Sequence, residues 1–92
     1  MLVSNDVSEQ CVAMLANLET LLAELDLTFA NLLRTAISLT DYQDFGVINA
    51  VYAGALSAPY PARTTLQVAG LPLGAKVQID AVVAIDDGTQ NP

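Results

Sequence analysis

The spacing of apolar residues changes its period along this chain, and that change limits the folds open to it. Between Val7 and Leu25 apolar residues recur every three or four positions, which predicts an amphipathic helix. Asp6 and Glu9 provide a start for this helix, because Asp6 can cap the first turn and Glu9 can reach back to it. The apolar stripe of the predicted helix consists of Cys11, Met14, Leu15, Leu18, Leu22 and Leu25.

Strands and a second helix are predicted after the first helix. The segment Asn31–Leu39 has a period of two, which is typical of a strand with Leu33, Thr35, Ile37 and Leu39 on one face. A second helix should start at Thr40–Gln43. Strands at Ala62–Val68 and Ala75–Ile85 flank a Gly- and Pro-containing turn at Ala69–Gly74, and a polar tail follows from Asp86 to Pro92. The order α-β-α-β-β predicts an α+β two-layer sandwich, with the helices on one face of a β-sheet.

The size and apolar content of the chain favour one domain that associates with other copies of itself. Ninety-two residues are enough for one domain, which we place at residues 1–92. Hydrophobic residues make up 53% of the chain, which is more than a small monomer needs to fill its core. We therefore expect part of its surface to be buried in an oligomer.

Charge and composition exclude several classes of function. A net charge of −7, with ten acidic and three basic residues, argues against partners that are nucleic acids or anionic membranes. The chain has no histidine and a single cysteine, Cys11, so we expect no metal site and no cofactor. We interpret Cys11, Tyr42, Tyr52 and Tyr60 as packing residues. With no signal sequence and no membrane-spanning run evident, we expect a cytoplasmic protein.

The last two predicted strands carry two of the three cations. Paired as an antiparallel hairpin, they would place Arg63 opposite Asp80 and Thr65 opposite Gln78. That face could bind a small anion, since a guanidinium grips a carboxylate at two points and Thr65 and Gln78 could orient a water. The alternative is a solvated Arg63–Asp80 ion pair, which periodicity alone favours. The shared polar face would consist of Arg63, Thr65, Gln67, Lys76, Gln78 and Asp80.

Several short motifs occur in a distinctive order along the chain. Asp44-Phe45, Asn49-Ala50 and Tyr52 lie in the second predicted helix. Pro61-Ala62-Arg63 comes next, and then Leu71-Pro72 and Val77-Gln78-Ile79. In this order and at this separation, the motifs resemble the signatures of the Rid family of enamine/imine deaminases. Older names for that family are L-PSP endoribonucleases and translation inhibitors.

The resemblance implies a fold, an assembly and a reaction. The fold is chorismate-mutase-like, and the assembly is a homotrimer with sites between subunits. The reaction is the hydrolysis of short-lived enamines or imines, such as 2-aminoacrylate, to keto acids and ammonia. By the same resemblance Arg63 holds the substrate carboxylate and Asn49 lies near it, while Gln78 and Thr65 occupy two further site positions. The candidate catalytic residues are thus Arg63 and Gln78, and the candidate substrate-binding residues are Arg63, Asn49 and Thr65.

The chain also departs from the family pattern. Gln78 replaces a glutamate, and an amide can orient a water but cannot act as a general base. Thr65 replaces a frequent cysteine. The N-terminal strands of the family, which supply a site tyrosine and a serine-bearing segment, have no counterpart, so we expect an N-terminally shortened Rid-like domain. Besides a deaminase, the sequence permits a non-catalytic trimeric module that binds an imino or keto acid. The last hypothesis is an endoribonuclease, which the charge and the lack of histidine oppose.

Overall fold

Two helices cover one face of a three-stranded sheet. The computed structural model describes residues 6–58 and 60–85, so the predicted polar tail from Asp86 lies outside the described residues. In chain order the elements are α1 (Val7–Glu24), β1 (Leu32–Leu39), α2 (Phe45–Ala55), β2 (Ala62–Gln67) and β3 (Val77–Val83). The predicted α+β two-layer sandwich is confirmed. Within the described ranges, no helix is long and apolar enough to cross a membrane.

The cap predicted for the first helix is present, whereas the second helix begins at Phe45, later than the predicted start at Thr40–Gln43. The Asp6 side chain accepts a hydrogen bond from the Glu9 amide at 3.1 Å, which fixes the first turn of α1. Asp41 accepts one from the Gln43 amide at 2.9 Å. It thereby caps a short 3-10 turn that leads into α2.

The order of the strands corrects the predicted hairpin. The sheet order is β2-β1-β3, with β1 parallel to β2 and antiparallel to β3. The last two strands therefore do not pair with each other. A physical reason lies in their composition: the helix-facing residues of β1 are among the most deeply buried in the chain, whereas β2 is rich in polar residues and suits an edge. As the central strand, β1 is hydrogen-bonded along both sides.

A bulge changes which leucine of β1 is buried. The pairing of β1 with β3 shifts between Leu32 and Arg34, so Leu33 is an extra residue on its strand. Alternation then resumes with Thr35, Ile37 and Leu39 under the helices, as predicted. Leu33 was predicted to share their face, and this was wrong: its side chain is 57% exposed, while Leu32 is only 7% exposed.

The end of α1 explains a second difference from the predicted stripe. The helix stops at Glu24, and Asp26 adopts a left-handed conformation with φ of 60°. The Leu27 amide then donates to the Leu22 carbonyl at 2.8 Å, which turns the chain back towards the core. Leu27 is consequently buried, whereas Leu25, which was predicted to belong to the apolar stripe, is 60% exposed.

Cys11 is a core residue, as predicted. Its side chain has no exposed surface, and its Sγ lies 3.9 Å from the Ile48 carbonyl oxygen, to which it donates a weak hydrogen bond. Burial raises the pKa of the Cys11 thiol above its ordinary value, so the thiol stays protonated at neutral pH. The contact joins α1 to α2 at the centre of the helical layer.

The helix end provides a matched test of this packing. We expect Leu27→Ala to lower the free energy of unfolding by about 2–4 kcal/mol, because it empties a buried site. Leu25→Ala should change it by less than ~0.5 kcal/mol, since that side chain lies largely in solvent. Urea unfolding followed by circular dichroism measures both. Equal losses from the two substitutions would contradict the chain reversal after Glu24.

Candidate functional site

The sheet register separates the predicted polar stripe into two groups on opposite faces. Across the parallel pair, Arg63 lies beside Thr35 and Thr65 beside Ile37, and both partners face the helices. Across the antiparallel pair, Gln78 lies beside Ser38 and Asp80 beside Ala36, on the face that the helices leave open. The single polar face of the predicted hairpin is therefore wrong, and the structure does not bring Arg63 together with Asp80.

Arg63 lies instead against three side chains of α2. Its Nη1 donates a hydrogen bond to Asn49 Oδ1 at 2.7 Å. The guanidinium carbon lies 5.0 Å from the centre of the Tyr52 ring and 5.6 Å from that of Phe45, within the range of cation–π attraction. Asn49 thus lies next to Arg63, and the two side chains form one candidate site.

The helix periodicity explains why these three partners converge. Phe45, Asn49 and Tyr52 are spaced by four and then three residues, so they lie on one face of α2. That face is directed at the edge of the sheet where β2 carries Arg63. The cation is thereby held by one short hydrogen bond and two aromatic rings rather than by a carboxylate. Within residues 6–58 and 60–85 no ion pair to Arg63 is formed.

A second contact fixes the Tyr52 ring. The hydroxyl groups of Tyr52 and Thr35 lie 2.8 Å apart and form a buried hydrogen bond. Thr35 is 1% exposed and Tyr52 is 4% exposed, so neither hydroxyl has access to bulk water. This bond ties α2 to the central strand directly beside the guanidinium. Arg63 consequently rests on a ring that cannot rotate freely.

A cavity opens in front of this group. Its volume is about 370 Å³, and Asn49, Tyr52, Tyr60, Pro61 and Arg63 line it together with Ala53. The space suits a small molecule. The guanidinium has five N–H donors, and the bond to Asn49 uses one of them. The remaining donors can bind a planar anion such as a carboxylate.

The other predicted site residues lie at different distances from the cavity. Thr65 is two residues along β2 from Arg63 and on the same side of the sheet, where its carbonyl oxygen accepts a hydrogen bond from Tyr42 Oη at 3.4 Å. It does not line the cavity. Gln78 is exposed on the opposite face of the sheet. Within one chain, Arg63 and Gln78 cannot meet.

Sequence reasoning missed Tyr52 and Tyr60 as site residues and interpreted both as packing residues. Tyr52 does pack in the core, but it also supports the guanidinium. Its position three residues after Asn49 was a usable signal, because residues three apart share a helix face. Tyr60 borders the cavity because the loop before β2 passes beside α2, which residue spacing does not reveal.

Known proteins match most of this chain. A model of the family described as endoribonuclease L-PSP matches residues 1–85. The chain belongs to this family. The resemblance stated from the sequence motifs is therefore confirmed, since proteins named as Rid or imine deaminases are among the relatives.

Individual relatives show which fold the chain shares and how much of each relative it covers. The human protein named 2-iminobutanoate/2-iminopropanoate deaminase is 36% identical over 81 residues, which cover 88% of this chain and 59% of that protein. The crystal structure of RidA from an Antarctic Psychrobacter has a TM-score of 0.86 at 33% identity, covering 89% of this chain and 67% of that one. Escherichia coli TdcF with bound serine has a TM-score of 0.85 at 30% identity, covering 91% and 68%. The chorismate-mutase-like fold is confirmed.

The chain matches only part of the length of these relatives. The chain spans about three fifths of the length of several curated relatives that it matches. The portion that matches contains the elements that build the Arg63 site, namely α2, β1 and β2.

The hydrogen bond between the buried Thr35 and Tyr52 hydroxyls can be tested for its contribution to stability. We expect Tyr52→Phe to lower the free energy of unfolding by about 1–2 kcal/mol, because it leaves the buried Thr35 hydroxyl without its partner. Thr35→Val should cost a similar amount. The double variant should cost less than the sum, with a coupling of about 1 kcal/mol. Urea unfolding of the four proteins measures the cycle, and additive losses would contradict a stabilising bond.

Proposed function

We propose that this protein binds a small imino acid or enamine acid through Arg63 and hydrolyses it to the keto acid and ammonia, as an assembly of identical chains. The observation that carries the proposal is a guanidinium held in place by Asn49 and Tyr52 at the wall of a small cavity, with no carboxylate of residues 6–58 and 60–85 paired to it. The names of the relatives as imine and reactive-intermediate deaminases support the same reaction.

The setting of Arg63 favours a small carboxylate as the ligand. Two ring faces and one amide oxygen hold the cation without neutralising it, because none of these groups carries a full charge. A bound carboxylate would complete the neutralisation and accept two parallel N–H bonds. The cavity volume of about 370 Å³ is suited to a ligand of a few heavy atoms rather than to a polymer.

The reaction itself requires a water and a proton transfer. An enamine first becomes the imine by gaining a proton at its terminal carbon and losing one from nitrogen. Water then adds to the carbon of the C=N bond while the nitrogen takes up a proton, which gives an amino alcohol. Transfer of the hydroxyl proton to nitrogen and cleavage of the C–N bond release ammonia and leave the keto acid. Arg63 would hold the adjacent carboxylate and so fix the position of the reacting carbon. Gln78 would orient the water through its amide, while the protons move through solvent, since an amide cannot act as a base.

A site that contains both Arg63 and Gln78 needs two chains. The residues lie on opposite faces of one sheet, so only a second copy can bring its Gln78 to the Arg63 cavity. The open face also carries exposed apolar side chains, with Leu66 54% and Val82 46% exposed. Their exposure favours association with further copies, and we propose a homotrimer as the working assembly.

A second candidate function rests on Gln78 itself. Because an amide stands where the family resemblance implies a glutamate, the same cavity supports a non-catalytic module that binds a keto or imino acid. RNA cleavage has weaker support, because the net charge is −7 and the chain has no histidine. The deaminase and the binding module make the same prediction for binding and opposite predictions for turnover.

Arg63 is the residue on which both candidates depend. We expect Arg63→Ala to reduce kcat/KM for 2-aminoacrylate generated in situ by ~100-fold, because the charged fork that binds the carboxylate is removed. Arg63→Lys should retain part of the activity, since it keeps the charge and loses the fork. Keto-acid formation above the spontaneous rate is the readout.

Arg34→Ala serves as the control for this experiment. It removes the same charge from an exposed position on the opposite face. All variants are first sized by light scattering and probed for pyruvate binding by calorimetry. Pyruvate binding that depends on Arg63, without turnover by the wild type, would replace the deaminase with the binding module. Full activity in Arg63→Ala would overturn both.

Mixed assemblies test whether two chains share a site. We expect Arg63→Ala and Gln78→Ala to be impaired as separate proteins. When they are unfolded and refolded together at equal amounts, about a quarter of the sites should pair an intact Arg63 with an intact Gln78 from a neighbouring copy. Activity should rise accordingly. No recovery from mixed particles of the correct mass would contradict a shared site.

A further inference from the structure

The start of α2 has little stabilisation of its own. Asp44 occupies the N-cap position, but its side chain accepts no capping hydrogen bond. Gly46 follows in the first turn, where glycine is a poor helix former. The first amide groups of a helical segment also lack partners within that segment. The position of Phe45, the first residue of α2, therefore depends on what holds the preceding 3-10 turn, Tyr42–Asp44.

Gln67, the last residue of β2, holds that turn. Its side-chain Oε1 accepts a hydrogen bond from the Tyr42 amide at 2.8 Å, across 25 residues of sequence. The Tyr42 hydroxyl in turn donates to the Thr65 carbonyl oxygen at 3.4 Å. Two hydrogen bonds thus tie the turn to the strand that carries Arg63.

The anchored turn places two aromatic rings in series next to the guanidinium. Side chains three residues apart in a 3-10 turn lie one above the other. The rings of Tyr42 and Phe45 accordingly stack, with their centroids 5.5 Å apart and their planes at 25°. The Phe45 ring centroid then lies 5.6 Å from the guanidinium carbon of Arg63. Neither ring lines the Arg63 cavity, and Gln67 does not line it either.

We infer that Gln67 is a positioning residue for Arg63 and acts through the rings of Tyr42 and Phe45. The hydrogen bond from the Tyr42 amide fixes the turn, and the stacked Tyr42 ring restricts the movement of Phe45. If the turn were released, Phe45 would move and the guanidinium would sample more orientations. A side chain that is mobile before binding loses more conformational entropy when a ligand orders it, which weakens the binding of that ligand.

The inference has one part that rests on the proposed function and one that does not. Its effect on ligand binding assumes that Arg63 binds a small carboxylate. Its effect on the order of the Arg63 side chain can be measured in the protein without any ligand. The positioning role and the proposed function can therefore fail independently.

Substitutions at Gln67 separate the acceptor oxygen from the length of the side chain. Gln67→Met should release the turn, because a thioether of similar length is only a weak acceptor. Gln67→Glu should keep the anchor, since a carboxylate oxygen can accept the same bond. Its added charge is four residues from Arg63 along the strand, about 13 Å, where salt screens most of the interaction. Gln43→Met is the matched control, because the Gln43 side chain has no hydrogen-bond partner within residues 6–58 and 60–85.

Nuclear magnetic resonance of the Arg63 side chain measures the effect directly. The wild-type Nε–H signal, assigned by its absence in Arg63→Lys, should show an ordered group. We expect Gln67→Met to lower its order parameter and to speed its proton exchange with water by about threefold or more. Gln67→Glu and Gln43→Met should resemble the wild type. Circular dichroism and light scattering verify the fold and the assembly of each variant.

Ligand binding provides a second readout. We expect Gln67→Met to weaken pyruvate binding by about fivefold in calorimetry, because the ligand must then order the guanidinium. In a turnover assay the loss should appear in KM rather than in kcat, since the bound ligand restores the ordered site. Gln67→Glu should recover the wild-type affinity, which a general loss of stability would not explain.

A double-variant cycle tests the route through the rings. Phe45→Leu removes the ring that contacts the guanidinium, so adding Gln67→Met should have little further effect on the order of Arg63. Tyr42→Leu interrupts the same route at another link and should reproduce the effect of Gln67→Met. Because the Tyr42 side chain is 48% exposed, this variant keeps the test available if Gln67→Met fails to fold.

The outcomes separate the positioning role from the proposed function. Unchanged order of Arg63 in Gln67→Met and Tyr42→Leu overturns the inference, whether or not pyruvate binds. An effect of Gln67→Met that persists at full size in Phe45→Leu overturns it as well, since the rings would not be the route. Loss of order in Gln67→Met, without pyruvate binding by the wild type, supports the positioning role and contradicts the proposed function.

Discussion

The central position of β1 is the constraint on which the other features depend. Its helix-facing side chains at Thr35, Ile37 and Leu39 are almost completely buried, so the strand must lie beneath both helices with a neighbour on each side. One neighbour is β2, which returns parallel after α2, and the other is β3. In the registers of these two pairs, Arg63 lies beside Thr35 and faces the helices, whereas Gln78 lies beside Ser38 and faces away. Under the proposed function, a site that uses both residues therefore needs two chains.

The surroundings of Arg63 show how an acidic chain can keep the N–H donors of a guanidinium available to an anionic ligand. A half-buried guanidinium would normally be stabilised by one of the ten carboxylates, and a salt bridge would occupy the donors that a ligand needs. Here the stabilisation comes from ring faces and an amide oxygen, which attract the cation and leave its charge uncompensated. The Thr35–Tyr52 bond holds the more buried of those rings in place. The local arrangement of side chains, rather than the net charge of the chain, makes the Arg63 cavity favourable to an anion.

Much of the fold could be predicted from periodicity, because helices and strands differ in the spacing of their buried residues. The limits of α1 and β1 agree with prediction to within about one residue, as boundary definitions allow. The pairing of strands could not be predicted in this way, since adjacency in sequence favoured a β2–β3 hairpin and the burial of β1 decided otherwise. The bulge at Leu33 and the chain reversal at Asp26 were also invisible, because each depends on backbone geometry that neither residue type requires.

The same limits apply to the candidate site. Arg63 and Asn49 were predicted from motifs, and the structure places them in contact. The sequence predicts Tyr52 as a packing residue, which is correct but incomplete, because one ring face can fill the core while the other supports a cation. Gln78 lies on the sheet face opposite Arg63. Among the described residues, the helices leave one face of the sheet open, and exposed apolar side chains such as Leu66 and Val82 lie on that face. The proposed association with further copies would bury those side chains and bring Gln78 of one copy to the Arg63 cavity of another, so one contact would serve both stability and the proposed function.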